Sequence, residues 1–308
     1  MTGNFNPDRR RQIKAALARV AYRDGAVRIA EPQLADAEWL IASNRGVFAL
    51  GPSGVRTVLY GWFFGIHRHE EHLYLFENCA MRDRSVDLGR ILRLTIAQRR
   101  LVDPQVLVTG LHPNCHQLAV IGGLLCLLDT ANQTIRRYHL DGVPVDAIVP
   151  FPVAEPTDTS GGYLHINSLA QIGERIALLL HNGIAKPERN SELVWFDAAW
   201  NLITRASVPG RCCHDIVADA NGTLWHSASQ SGELIASDGR RFKLTDRLMT
   251  RGIAFADERM LVGLSSFGPR QLRDELRGSV ALLDRDCRME KQIELPGSPT
   301  DIVAIGQA

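Results

Sequence analysis

The stretch HDIVADANGTLWHSAS, residues 214–229, is an apolar run, a turn containing Asn221-Gly222, and a second apolar run. Asn-Gly between two such runs is a strong short-range hairpin signal. The same design returns along the chain. HQLAVIGGLLCLLDT (116–130), HINSLAQIGERIALLLHN (165–182) and RGIAFADERMLVGLSS (251–266) each set an apolar strand, a short polar or small turn, and a second apolar strand ending in a polar pair. FGIHRHEEHLYLFEN (64–78) fits the template, and TDIVAIG (300–306) supplies only its first half. A third strand follows the hairpin in ILRLTIA (91–97), ELVWFDA (192–198) and SVALLDR (279–285), then a turn and a shorter fourth.

The units start at 64, 116, 165, 214, 251 and 300, so they are 52, 49, 49, 37 and 49 residues apart. That is the length of a four-stranded propeller blade. EWLIASNRGVFALGPSGVRTVLYG (38–61) holds the strands that TDIVAIG lacks. The pattern therefore predicts an all-β, six-bladed β-propeller over 38–308, its ring closed when the C-terminal strand joins the N-terminal blade. Radial closure of this kind protects sheet edges. Residues 1–37 form an N-terminal helix and lead-in. The helix is expected over Arg9 to Tyr22, where Ile13, Ala16, Leu17 and Val20 fall at helical spacing after Pro7, and it packs on the outside of the rest.

Composition narrows the function classes. Of the 308 residues 45% are hydrophobic and 22% charged, which places the chain in the ordinary globular class. A formal net charge of +1 offers no global field for nucleic acid or an anionic membrane, so neither partner is expected. No stretch reaches the roughly 18 apolar residues of a membrane helix and no secretory leader stands at the start, so a soluble, cytoplasmic protein is expected. The six cysteines follow no CxxC or disulfide-framework spacing and read as free, buried thiols.

On these blade patterns, "HDIVADANGTLW" above all, residues 38–308 resemble the broad superfamily of NHL, gluconolactonase and strictosidine-synthase-like propellers, and most resemble bacterial propeller proteins of uncharacterised function. The resemblance to gluconolactonases implies a metal bound near the axis by carboxylates and asparagine. Here the aligned strand heads carry histidines instead.

In a propeller the first strand of each blade lines the central channel, and function must be argued from that site. The six strand heads are Phe64, His116, His165, His214, Arg251 and Thr300. Three consecutive blades thus present histidine at one aligned position, and pseudo-rotation aims His116, His165 and His214 at one axial point. Three neutral imidazoles converging from one side suit iron, manganese, zinc or copper, with positions left for water or substrate. Histidines at strand heads also cap turns or bond a neighbouring carbonyl, so a purely structural set is the competing expectation.

The residues around them extend the site. Arg251 could hold a carboxylate or phosphate in bidentate fashion, or pair with Asp215 or Asp301. His181, Asp129, Glu77 and Ser265 end second strands and should reach the same face, with His181 available as general acid or base, or as a fourth ligand. His67, His69 and His72 in "IHRHEEH" lie across a hairpin turn and read as solvated. Long connections at 79–90, 152–163, 183–192 and 266–278 should raise walls around the mouth. A partly basic pocket favours a small anionic substrate.

Two function classes follow. One is a metal-dependent enzyme performing lyase, isomerase, hydrolase or oxygenase chemistry, an architecture for which the four-histidine iron carotenoid oxygenases and manganese oligogalacturonate lyases are analogies. The other is a non-catalytic binding or scaffolding propeller. The sequence contains no phosphate loop, GxSxG elbow or nucleotide fingerprint. The oligomeric state is left open, with the N-terminal helix available for an interface.

Overall fold

The computed structural model describes residues 7–151, 163–183, 189–266, 268 and 275–306. Six four-stranded antiparallel sheets surround one axis. The first contains β1 (Trp39–Ser43), β2 (Gly46–Gly51) and β3 (Gly54–Tyr60). The second runs β4 (Phe63–His69), β5 (His72–Asn78), β6 (Gly89–Ala97), β7 (Arg100–Leu111), and the third β8 (Leu118–Ile121), β9 (Leu124–Asp129), β10 (Thr134–Tyr138), β11 (Pro144–Ile148). The fourth is β12 (Ile166–Ile172), β13 (Arg175–Leu180), β14 (Glu192–Phe196), β15 (Leu202–Ser207). The fifth is β16 (Cys213–Ala218), β17 (Leu224–Ala228), β18 (Glu233–Ala236), β19 (Arg241–Lys243). The sixth is β20 (Leu248–Ala256), β21 (Arg259–Ser266), β22 (Gly278–Leu283), β23 (Met289–Leu295).

The last strand, β24 (Pro299–Ala304), pairs antiparallel with β1 and completes the first sheet, as the half-repeat TDIVAIG requires. Neighbouring inner strands meet in the order β24, β4, β8, β12, β16, β20 and back to β24. The apolar alternation of adjacent blades fills the space between them, for example Ile66, Leu73 and Leu92 against Leu40, Ala42 and Val47. Each sheet is buried on both faces near the axis, which is why the first two strands of each unit read as nearly continuous apolar runs.

Helix α1 (Pro7–Arg23) lies across the face on which the strand heads open. Its ties go to connections on that face: Lys14 to Glu275, Arg19 to Asp83, and the Tyr22 hydroxyl accepts from the Gly110 amide. Its packing reverses the sequence expectation. Ala18 and Ala21 are buried, while Ile13, Leu17 and Val20 are about half exposed. The alanine side of the helix faces the protein, and the larger apolar side chains are left outward. The lead-in is woven into the domain through bridges Ile29 to Leu59 and Gln33 to Arg100, and Leu34 and Ala37 sit in the core. No described helix is long and apolar enough to cross a membrane.

Candidate functional site

The strand heads are built on register breaks. One extra residue, Phe64, Asn167 or Asp215, interrupts the pairing of the first two strands in the second, fourth and fifth sheets. Arg251 and Gly252 break the sixth, and Thr300 the first. In the third, His116 and Gln117 together face Leu128 through two backbone hydrogen bonds. Such bulges bend a strand and re-aim its side chains. Here they turn polar side chains sideways into the next blade. Gln117 Oε1 accepts from the Leu169 amide at 2.7 Å, Ser168 Oγ from the Asp215 amide at 2.7 Å, and Asp215 Oδ2 from the Gly252 amide at 2.5 Å. Asp301 Oδ2 accepts from the Ile66 amide at 3.1 Å. A girdle of side-chain bonds therefore spans four of the six blade junctions just inside the mouth.

Register also corrects the alignment of the histidines. His214 stands opposite Ser227, and the corresponding residue of the fourth blade, opposite Leu180, is Ile166. His165 lies one residue earlier than His116 and His214. One residue along a strand normally sends the ring to the other face. His165 escapes this because its φ of 53° places it in the left-handed region and swings the ring back.

The rings gather despite the offset. Centroids of His116 and His165 are 5.2 Å apart, of His165 and His181 4.4 Å in a stack, and of His181 and His214 5.5 Å. Phe64 continues the row 5.4 Å from His116, and Tyr163 packs 5.5 Å from His165. Each imidazole has Nδ1 on a backbone carbonyl: His116 on Asn114 at 2.8 Å, His165 and His181 both on Gly183 at 3.1 and 3.0 Å, and His214 on Cys212 at 2.8 Å. A carbonyl only accepts, so Nδ1 carries the proton in all four, and Nε2 of each neutral ring is left with its lone pair.

Burial and the Arg251 charge keep the rings neutral. Burial first, then Arg251, lowers His116 to about 3, and the same causes lower His181 to about 4. His165 and His214 are held well below the ordinary value, again chiefly by burial. His165 Nε2 is buried and has no hydrogen-bond partner among the described residues.

Inside the mouth, residues from all six blades line an axial cavity of about 10 Å³, room for roughly one water. His116, His214 and Arg251 line it together with Asp215 and Asp301. Burial raises Asp215 to about 6 and Asp301 well above its ordinary value, Asp301 further through the charge of Asp215, while Arg251 pulls both down. Among the described residues, no three His, Cys, Asp or Glu side chains already surround one point as a bound ion requires. The four imidazoles form a row.

The other expected site residues are held by partners of their own. Glu77 is 1% exposed and bonded to Arg90 at 2.7 Å and Arg28 at 3.1 Å; Arg90 in turn donates to the carbonyls of Ala21 and Ala26, at the end of α1 and just beyond it. Asp129 is buried against Asn132 and Arg136. Ser265 donates to the Pro299 carbonyl. His67 is only partly exposed, and burial, with His69 nearby, lowers it to about 4. All six cysteines are free and buried. Of the expected walls, residues 152–162, 184–188, 267 and 269–274 lie outside the described residues.

The sequence reading passed over Gln117, Ser168, Asp215 and Asp301 as site residues. For Gln117, Asp215 and Asp301 the signal was a polar residue directly after the strand head; Ser168 stands three residues after His165. It also missed the Gly183 carbonyl and the Ser229 hydroxyl, which only the fold brings to the rings.

No family model matches the chain, and no curated protein matches it in sequence. Solved structures do share its architecture. The chain is a six-bladed β-propeller. One similar structure is a chain of a nidogen/laminin complex, with TM-score 0.61, 12% identity, and coverage of 87% of this chain and 98% of that one. A protein of unknown function from Bacteroides caccae gives 0.58 at 9% identity, covering 88% and 99%. A putative 6-phosphogluconolactonase from Bacteroides fragilis gives 0.55 at 13%, covering 89% and 100%. At such identities the likeness is one of propeller fold, and chemistry rests on the site.

Proposed function

We propose that this propeller is a transition-metal-dependent enzyme acting on a small anionic organic substrate at the axial mouth. His116, His165 and His214 hold the ion through Nε2, with His181 as proton acceptor or fourth donor, and Arg251 holds the substrate anion. The observation that carries this reading is His165 Nε2, a buried acceptor with no donor among the described residues, in a row of rings whose Nδ1 protons are all fixed on protein acceptors. Metal-ligating histidines characteristically donate their other ring N–H in this way.

Neutral nitrogen donors suit iron, manganese, zinc or copper better than calcium or magnesium. A bound ion of that kind would supply Lewis acidity or an activated water at the mouth. The chain's own part is to keep the imidazoles unprotonated, orient them by carbonyl bonds, and offer one guanidinium to an incoming carboxylate or phosphate.

Metal analysis of protein expressed in metal-supplemented medium tests this. About one transition-metal ion per chain is expected, lost in His165→Ala; wild-type protein free of stoichiometric metal would rule the reading out. A non-catalytic binding propeller has one observation in its favour. Val143, Val145 and Val149 of the third blade and Leu202 and Ile203 of the fourth are exposed at or beside the outer strands.

A further inference from the structure

The second strands of several blades end on a hydroxyl that ties one blade to the next. Thr130 Oγ1 donates to the Ile166 carbonyl at 2.8 Å, Ser265 Oγ to the Pro299 carbonyl, and Ser229 Oγ to the Thr250 carbonyl at 2.5 Å. In the fifth blade the same hydroxyl does more. Ser229 is fully buried, and its oxygen lies 2.8 Å from His214 Nδ1. Its only hydrogen is committed to Thr250, so towards His214 it can only accept.

We infer that Ser229 is a positioning residue for His214: with the Cys212 carbonyl it fixes the imidazole with its proton on Nδ1, so that Nε2 is presented to the metal. The inference rests on the metal reading above. A serine free to donate would instead place its hydrogen on Nδ1, move the ring proton to Nε2 and abolish the ligand. The bond to Thr250, one residue before Arg251, prevents this. It also ties the orientation of a metal donor in one blade to the backbone that carries the anion-binding arginine in the next.

Thr130 provides the control, because it makes the same blade-to-blade bond and no imidazole bond is formed to it among the described residues. It also shows that this repeat position accommodates threonine. Cobalt(II) is titrated spectrophotometrically into wild type, Ser229→Ala, Ser229→Thr and Thr130→Ala, with ring-nitrogen NMR of each metal-free protein. Ser229→Ala should weaken cobalt binding roughly tenfold or more and accelerate exchange of the His214 Nδ1 proton. Ser229→Thr should restore both, and Thr130→Ala should change neither while losing comparable thermal stability. Equal loss of affinity in Ser229→Ala and Thr130→Ala would overturn the inference. If wild type takes up no cobalt, the metal reading fails, and the NMR then decides alone: an unchanged His214 Nδ1 proton in Ser229→Ala overturns the positioning role.

Discussion

Each clustered imidazole has a lowered affinity for protons because the charged ring would have to be buried beside Arg251 and its fellow rings. This has a sign in stability. A histidine held below its unfolded value of 6.5 takes up a proton on unfolding. Its contribution is complete above that pH and is lost as pH falls towards the folded value, about 1.4 kcal/mol per ring and pH unit. Asp215 and Asp301 act oppositely, since folding raises them and they favour the fold as pH falls. With His67 lowered in the same way, the lowered rings outnumber the two raised carboxylates. Urea unfolding of the metal-free protein should therefore show lower stability at pH 5 than at pH 7, and equal stability at the two values would contradict the assignment. The residues themselves were legible: three histidines at strand heads, with His181 at a strand end, named the cluster. The extra half-step of His165 was not, because a left-handed φ at a non-glycine leaves no mark in a single sequence.

At the scale of elements, bulges and close approaches place the site. Gly65 on β4 faces the backbone of the third blade, where an added Cβ would lie 2.7 Å from the His116 carbonyl oxygen. Gly65→Ala must push β4 away from His116, since backbone cannot yield as a flexible side chain would. A loss of roughly 1–3 kcal/mol in unfolding free energy and a shifted His116 ring resonance are expected, and an unperturbed His116 would refute the contact. Helix α1 depends on a different device. Arg90→Met removes the buried partner of Glu77 and the donors to the Ala21 and Ala26 carbonyls. Breaking one half of a buried ion pair costs roughly 3–5 kcal/mol, and this should appear in denaturant unfolding while metal content stays at the wild-type level. Strand count and order could be read from the chain. The helix's inward face could not, because a small-residue stripe carries little hydrophobic signal. Glu77 ends a second strand like a site residue, and only the fold shows that Arg90 and Arg28 take its acceptors.

The whole molecule is held by closure. β24 contributes Pro299 and Thr300 to the strand heads, Asp301 to the axial girdle, and a pairing partner to β1 along its length. Ending the chain at Gly297 would open β1 as an unpaired apolar edge, and such edges aggregate. Size-exclusion chromatography should then show aggregate in place of the wild-type species, and a well-folded truncation of wild-type size would refute closure as what protects this edge. The half-repeat at 300–306 announced this closure, whereas the girdle it joins depends on which side chains the bulges turn sideways. The claim on which the functional account stands is that neutral Nε2 donors on this face take a transition metal. Anomalous diffraction from crystals soaked in cobalt(II) tests it most directly. A peak at the axial mouth among the rings of His116, His165 and His214 is expected, and a mouth without anomalous signal, with those nitrogens bonded to water or protein, would contradict the assignment.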